Sequence, residues 1–300
     1  MNSNLKPYVS IIMPTFNHAK FINKAITSVI NQTFKNWELI IIDNNSIDET
    51  KKIIGDYTDS RIKYFKISNN GILAKSRNLG VKIAEGEWVA FLDSDDWWTK
   101  NKLSICIKQI NKNVDFIYHK LEVINKSKKL FKKNFFKGRH LKRPILNDLL
   151  VSTITKGNPI GQSSAMMRRK LILDIGGINE KKNLVGAEDY NTWLRIAKIT
   201  DKFKYIDKNL GFIFIHDFNI SNKNMSIPQK LAIKDFKNML TYEQTKNLKV
   251  KLKYLSGSYN FSKKNYYSAK KDFIYVVKNG FMHLKVRALL KILFLVLGLR

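Results

Sequence analysis

The 300-residue chain places three carboxylates within four positions, Asp93-Ser94-Asp95-Asp96, at the end of the apolar run "EWVAFLD". Crowded carboxylates repel one another unless a positive charge is drawn among them. A hard divalent cation takes oxygen ligands, and Mg2+ is commonly held by one or two carboxylates together with substrate phosphates. A D-x-D step at a strand end can supply that. The competing reading is a strand-to-helix turn in which Asp96 caps a helix over "WWTKNKL". The two are compatible, with Asp95 binding and Asp96 capping.

Other chemistry-bearing residues are scattered along the chain. Asp43 ends "WELIIID" and could accept hydrogen bonds from a ribose or a base, or simply close an Asx turn. Arg77, in "NGILAKSRNLG", could pair with a phosphate, hold an acidic neighbour, or sit solvated on a helix. Glu188 and Asp189 open "EDYNTWLR" after Gly186. Acids suit a first helical turn, and one of them could equally act as a general base. His216 closes "GFIFIH", either as a structural histidine or as part of a site.

The elements that must carry these residues are legible in the hydrophobic pattern. Val9–Met13, "WELIIIDN", "IKYFKI" and "EWVAFLD" are continuous apolar runs, as expected of strands buried on both faces. Between them lie helical patterns: residues 21–30; "SIDETKKIIGDY", with a Ser46-x-x-Glu49 capping box; and "GILAKSRNLGVKIAEG", closing on Gly86. Strand and helix therefore alternate through the first hundred residues, which predicts a mostly parallel sheet with helices on both faces. Ligands of such sheets bind beyond the carboxyl ends of the strands. The rim residues are thus Thr15 and Asn17, Asp43 and Asn44, then Asp93, Asp95 and Asp96. Further on, residues 118–143 hold ten Lys/Arg against one acid and read as an exposed loop or hairpin. "SSAMMRRKLILDIGG" reads as a short strand and a helix, and "GAEDYNTWLRIAKI" as an amphipathic helix packing through Trp193, Leu194, Ile196 and Ala197.

The formal net charge is +30, and it is unevenly distributed. Residues 1–100 hold 13 Lys/Arg and 11 Asp/Glu, whereas residues 227–300 hold 16 and 3. Lysine-rich composition alone could produce this, as could attraction to a polyanion such as nucleic acid or an anionic membrane. No helix-turn-helix, zinc or RNP-type string supports nucleic acid, and "PTFNHAKF" lacks the glycine-rich basic phosphate loop of a nucleotidyltransferase. A single cysteine, Cys106, excludes an internal disulfide framework and fits a reducing compartment. "YVSIIMP" breaks too early for a signal-peptide core. The end, "HLKVRALLKILFLVLGLR", is apolar but interrupted by Lys285, Arg287 and Lys291, so an interfacial or core helix is expected there rather than a transmembrane span.

Taken in order, the motifs resemble the family 2 inverting glycosyltransferases of GT-A fold. "VSIIMPTFNHAKFINKAITSVINQTFKNWELIIIDNNSIDET" is similar to the family's opening, and "NGILAKSRNLGVKIAEGEWVAFLDSDD" to its next block. "SSAMMRRKLILDIGGINE", "GAEDYNTWLRIA" and "FIFIHDFNIS" follow, so the resemblance spans residues 8–221. It implies a Rossmann-like mixed, mostly parallel sheet flanked by helices, residues 1–226 forming the catalytic domain. Residues 1–100 would be its nucleotide-binding half and residues 101–226 its acceptor and catalytic half. A basic helical region, residues 227–300, would follow, with a membrane-surface helix near residues 281–299.

The resemblance also implies roles. Pro14, Thr15 and Asn17 would receive the nucleotide, Asp43 would contact its uracil or ribose, and Arg77 and Ser94 would lie in the same pocket. Asp95 would bind a divalent Mn or Mg ion most directly, with Asp93 on ribose or metal and His216 near the diphosphate or metal. Asp189, paired with Glu188, would be the catalytic base. The donor would be a nucleotide-diphospho-sugar such as a UDP-sugar. The acceptor would be a glycan or a polyprenyl (lipid-linked) carrier in cell-surface polysaccharide synthesis, worked on at the cytoplasmic face of an anionic membrane, with no nucleic acid involved. Two departures stand out: Ile72 and Leu73 occupy positions where smaller or polar residues are common, and Asn191 replaces a more usual acid, which bears on acceptor choice. "GNPIGQSS" is expected to help select sugar and acceptor.

Overall fold

The structure is a computed structural model and describes residues 6–125, 134–136, 146–217 and 219–297. Its first half alternates as the apolar runs predict: β1 (Val9–Thr15), α1 (Ala19–Ile30), β2 (Trp37–Asp43), α2 (Thr50–Gly55), β3 (Ile62–Lys66), α3 (Leu73–Ile83) and β4 (Trp88–Phe91). The second half runs β5 (Trp97–Trp98), α4 (Lys102–Ile107), β6 (Phe116–Asn125), β7 (Asn134–Phe136), α5 (Leu146–Lys156), β8 (Met166–Arg168), α6 (Arg169–Asp174), α7 (Glu188–Ala197) and β9 (Phe203–Ile215). Six helical segments follow among the described residues: α8 (Ser226–Ala232), α9 (Tyr242–Ser262), α10 (Tyr266–Asn279) and α11 (Met282–Val296), with 3-10 turns at Ile220–Asn222 and Lys234–Met239.

All described strands join one sheet in the order β3-β2-β1-β4-β8-β6-β9-β5, with β7 added beside β6. The β3-β2-β1-β4 half is parallel. β8 then inserts antiparallel between β4 and β6, and the sheet becomes mixed. Register aligns Thr15 with Asp43 and Asp43 with Lys66, so the carboxyl ends of these strands form a common edge.

Every residue of β1 and β2 is buried, because alternate side chains enter different cores. Ile11, Met13, Leu39 and Ile41 pack with α1, while Ile12, Ile40 and Ile42 pack with α3. Burial of each such side chain contributes roughly 1.5–3 kcal/mol. Trp193 and Ile196 of α7 enter the second core, and Leu194 and Ala197 a third one shared with α5 and α8.

Several polar residues serve ends that local patterns did not reveal. Ser46 and Glu49 form no capping box: α2 starts at Thr50 with no side-chain cap, and Ser46 bonds Asp43 instead. Gly86 is not the cap of α3, which ends at Ile83 with Ala84 extended. A Cβ on Gly86 would lie 2.7 Å from the Ser10 nitrogen, so the glycine permits a close backbone approach. Asp96 does not cap a helix either: Trp97 and Trp98 form β5, and α4 begins at Lys102 after Asn101. The basic stretch at residues 118–143 starts inside the sheet, since β6 runs to Asn125 and pairs antiparallel with β7. Residues 126–133 and 137–143 of that stretch lie outside the described residues.

The C-terminal helices form a core of their own from Val250, Ala269, Phe273, Val276, Leu284 and Ala288. Helix α9 opens with a reciprocal Thr241–Gln244 capping box. Along α11 only Leu284 and Ala288 are buried, while Val286, Leu289, Leu290, Leu293 and Phe294 stand exposed. No helix among the described residues is long and apolar enough to cross a membrane.

Candidate active site

The rim of the parallel half opens into a cleft of about 660 Å3. The loops after β1, β2 and β4, together with the turn after β9 whose His216 meets Asp95, border one side of it, and the start of α7 borders it as well. Pro14, Thr15, Asn17, Arg77, Asp93, Ser94, Asp95, Glu188, Asp189 and His216 all line it. The topology thereby brings together residues that the sequence places up to two hundred positions apart.

Asp43 is the exception. It is fully buried and does not border the cleft, where Asn44 takes its place. Its Oδ1 accepts from the Ser46 amide and hydroxyl at 3.0 and 2.6 Å, and its Oδ2 accepts from the Tyr64 hydroxyl at 2.8 Å. Asn17 is likewise engaged: its Oδ1 accepts from the Ile47 amide, and its own amide donates to Ser46. It adopts φ +51°, which asparagine tolerates better than most residues. Asp43, Asn17 and Ser46 thus lock the two rim loops together.

Arg77 is buried between the acidic turn and the start of α7. Its guanidinium donates to Asp93 at 2.8 Å and to Glu188 at 2.7 Å. Burial opposes its charge, but the Asp93 and Glu188 carboxylates outweigh that and hold its pKa above the ordinary arginine value. Of the alternatives open in the sequence, Arg77 holds acidic neighbours. Asp93 therefore faces Arg77, and the side chains that converge as cation donors are a different set: His18, Asp95 and His216, whose ligand atoms lie within 4.8 Å of one another.

That trio is tightly set. His216 Nε2 lies 3.0 Å from Asp95 Oδ2, and Asn219 Nδ2 donates to the same oxygen at 3.2 Å. His18 Nδ1 lies 2.7 Å from Ser94 Oγ. Phe21 stacks on the His216 ring, with centroids 4.6 Å apart and planes 22° from parallel. Burial and the neighbouring Asp93 carboxylate raise the Asp95 pKa, and burial lowers that of His18. A carboxylate resisting its own ionisation beside two imidazoles is a donor set that a divalent cation would relieve, so these residues fit one.

Asp96 turns away from the cleft. Its Oδ2 accepts from Ser163 Oγ at 2.5 Å and its Oδ1 from the Phe214 amide at 3.1 Å. The third carboxylate ties the acidic turn to the Gln162–Ser164 turn and to β9.

At the start of α7, Asp189 accepts from Asn158 Nδ2 at 3.0 Å. Burial, then the adjacent Glu188, lifts its carboxyl to about 7. A carboxylate poised near neutrality suits proton abstraction. Gly186, at φ +93°, makes the turn into α7, and its amide donates to Glu188 at 2.6 Å. Asn191 faces the interior, donating to the Ala232 carbonyl at 2.9 Å, so it anchors α8. Leu73 lines the cleft.

Sequence reasoning missed His18 and Asn219, and marked Asn158 and Gln162 only as members of the "GNPIGQSS" stretch. The rim rule that singled out Thr15 and Asn17 covers His18 one position further on. Nothing local joins Asn158 to Asp189 or Asn219 to Asp95, partners that lie 31 and 124 residues away.

A mixed Rossmann-like sheet flanked by helices, with its acidic turn beyond β4, is the GT-A architecture. A model of the family described as "Glycosyl transferase family 2" matches residues 10–176, and the chain belongs to that family. It is a glycosyltransferase. It is 35% identical over 191 residues to the Escherichia coli UDP-Glc:alpha-D-GlcNAc-diphosphoundecaprenol beta-1,3-glucosyltransferase WfgD, covering 63% of this chain and 70% of the relative. It is 32% identical over 220 residues to the Staphylococcus aureus poly(ribitol-phosphate) beta-N-acetylglucosaminyltransferase TarP, covering 71% and 64%. Its fold resembles S. aureus TarS 1-349 in complex with UDP-GlcNAc, with TM-score 0.61, 19% identity and coverage of 93% and 83%. It also resembles the mannosyltransferase PcManGT from Pyrobaculum calidifontis in complex with GDP-Man and Mn2+, with TM-score 0.62, 16% identity and coverage of 99% and 82%.

Proposed function

We propose that this glycosyltransferase moves a sugar from a UDP-sugar to a hydroxyl of a lipid-linked or glycan acceptor, with inversion. The observation carrying this is that Asp189 and the Asp95–His216–His18 trio line one and the same cleft. A donor diphosphate at the trio leaves the sugar facing Asp189. UDP as the nucleotude carrier is supported by WfgD, whose name gives a UDP-Glc donor and a diphosphoundecaprenol acceptor, and by the TarS complex.

Asp189 takes the proton of the acceptor hydroxyl, which is a poor nucleophile until deprotonated. The hydroxyl oxygen bonds the anomeric carbon as the bond to the β-phosphate oxygen breaks. The electron pair leaves with the nucleoside diphosphate, and one displacement inverts the centre. Asp95, His216 and His18 would hold a divalent cation, Mg2+ or Mn2+, which when bound neutralises charge developing on the diphosphate. Arg77 keeps Glu188 and Asp93 compensated, so Asp189 is the acid on that wall left to accept a proton. Thr15, Asn17, Ser94 and the Asn44 position form the nucleotide side.

The C-terminal region, residues 227–300, serves as a membrane-facing unit, placing the enzyme at the inner face of the cytoplasmic membrane. Supporting this are the exposed apolar stripe of α11 and the excess of 16 Lys/Arg over 3 acids. Apolar insertion plus basic charge provides the two signals that peripheral binding generally needs.

The test is a screen of nucleotide-sugars for hydrolysis and transfer dependent on added Mn2+ or Mg2+. UDP-sugar turnover by the wild-type chain, lost in Asp189→Asn, is expected. Turnover undiminished in that variant would remove Asp189 from the reaction.

A further inference from the structure

Gln162 sits at the edge of the cleft and is nine-tenths buried, yet neither Nε2 nor Oε1 of its carboxamide has a partner among the described residues. Buried side-chain amides are normally satisfied, and an orphaned one costs free energy unless something else completes it. Here both the donor and the acceptor are orphaned, in a residue that lines a substrate-sized cleft.

Its backbone setting is rigid. Gln162 opens a 3-10 turn closed by bonds from Ser164 N to Gly161 O and from Ala165 N to Gln162 O. The next residue, Ser163, accepts from the Asp93 amide at 3.1 Å and donates to Asp96, and its carbonyl accepts from Trp98 Nε1 at 2.7 Å. At the other end of the same segment, Asn158 donates to Asp189. The stretch from Asn158 to Ser163 therefore runs from the base to the D-x-D turn. A sugar undergoing in-line displacement must lie between those two points. Gln162 belongs to a stretch of wall that spans them.

We propose that Gln162 is a specificity-determining residue that hydrogen-bonds the transferred sugar, taking a hydroxyl or acetamido group on its carboxamide. This rests on the reading that the cleft binds a UDP-sugar between Asp95 and Asp189. A carboxamide offers donor and acceptor side by side, so it discriminates a polar substituent by its orientation. A site built to bond a hydroxyl rejects an analogue lacking it more strongly than an apolar pocket could.

The experiment is calorimetric binding of UDP, UDP-glucose, UDP-galactose and UDP-N-acetylglucosamine to the wild-type chain, Gln162→Ala and Gln162→Glu, without acceptor. The expected result is unchanged UDP affinity in all three proteins. The preferred UDP-sugar should lose about tenfold in affinity in each variant, the equivalent of one ordinary hydrogen bond, and the margin over its epimer should narrow. Equal affinity of wild type and both variants for the preferred UDP-sugar overturns the proposal. An equal loss for UDP and UDP-sugar also overturns it, because the residue would then act on the cleft's shape. Wild-type binding of UDP alone, with no gain from any attached sugar, would instead sink the donor reading. Gln162→Glu keeps the side chain's size and supplies a folded comparison if the alanine variant is unstable.

Discussion

Arg77 and Glu188 form a buried ion pair at 2.7 Å that joins the parallel half of the sheet to α7 across 111 residues of sequence. Removing the cation would leave Glu188 buried, and the half-buried Asp93 beside it, uncompensated. Such losses cost roughly 3–5 kcal/mol. Arg77→Ala should therefore lower the denaturant midpoint markedly, whereas Arg77→Lys, which cannot fork between two carboxylates, should lie between it and wild type. Urea unfolding followed by circular dichroism measures both.

Asp189 predicts two opposite responses to pH. As the base it must be ionised, so kcat/KM should rise with pH through about 7 and then level off. Its effect on stability has the reverse sign. The folded carboxyl holds its proton more tightly than the unfolded one, so its stabilising contribution is full at acid pH and is lost as pH rises through about 7. Asp189→Asn should be inactive, should still bind UDP, and should resist unfolding better than wild type at pH 8.5. A pH–rate profile and paired melts at pH 5 and 8.5 check this.

Metal-dependent nucleotide binding should depend on the imidazole–carboxylate trio. Adding Mn2+ should tighten UDP binding to the wild-type chain at least tenfold. Asp95→Ala should lose that gain, and His216→Ala or His18→Ala most of it. Calorimetry with and without Mn2+ reads the effect separately from turnover. Phe21→Ala, which removes the ring stacked on His216, should lose part of the same gain without touching a ligand atom.

Vesicle binding should follow the outer face of α11. Leu289 and Leu293 are 45% and 52% exposed, so replacing both by Asp leaves the core intact. Cosedimentation with anionic vesicles should fall sharply in the double variant and, for wild type, weaken as salt is raised. Undiminished binding by the double variant would show that α11 is not the attachment surface.

The pattern of legibility follows the range of the forces involved. Apolar periodicity is local, so the four parallel strands and the packing side of α7 could be read directly. The rim rule then carried Thr15, Asn17, Asn44, Asp93 and Asp95 to one cleft, because topology fixes where strand ends meet, though Asp43 and Asp96 turn away from it; Arg77, Asp189 and His216 were expected there from the family resemblance. Polar roles fared worse. Ser46 looked like a helix cap but closes the turn on Asp43, while Asp96 and Asn191 are committed to Ser163 and Ala232, 67 and 41 residues away, which short-range patterns do not show. Gly86 looked like a helix stop because glycine often is one, and only the proximity of Ser10 explains it. His18 was missed because no spacing joins it to Asp95 and His216 before the chain is folded.

Asp96 makes the acidic turn answerable to distant parts of the molecule. Through Ser163 and Phe214 it fastens the turn that carries Asp95 to the segment that ends on Asn158 and to the strand that delivers His216. Asp95 cannot drift while Asp189 stays put, because a single hidden side chain sets the gauge between them. Damage anywhere along those attachments, even far from the cleft, would be felt first as a misaligned reaction and only later as a weaker fold.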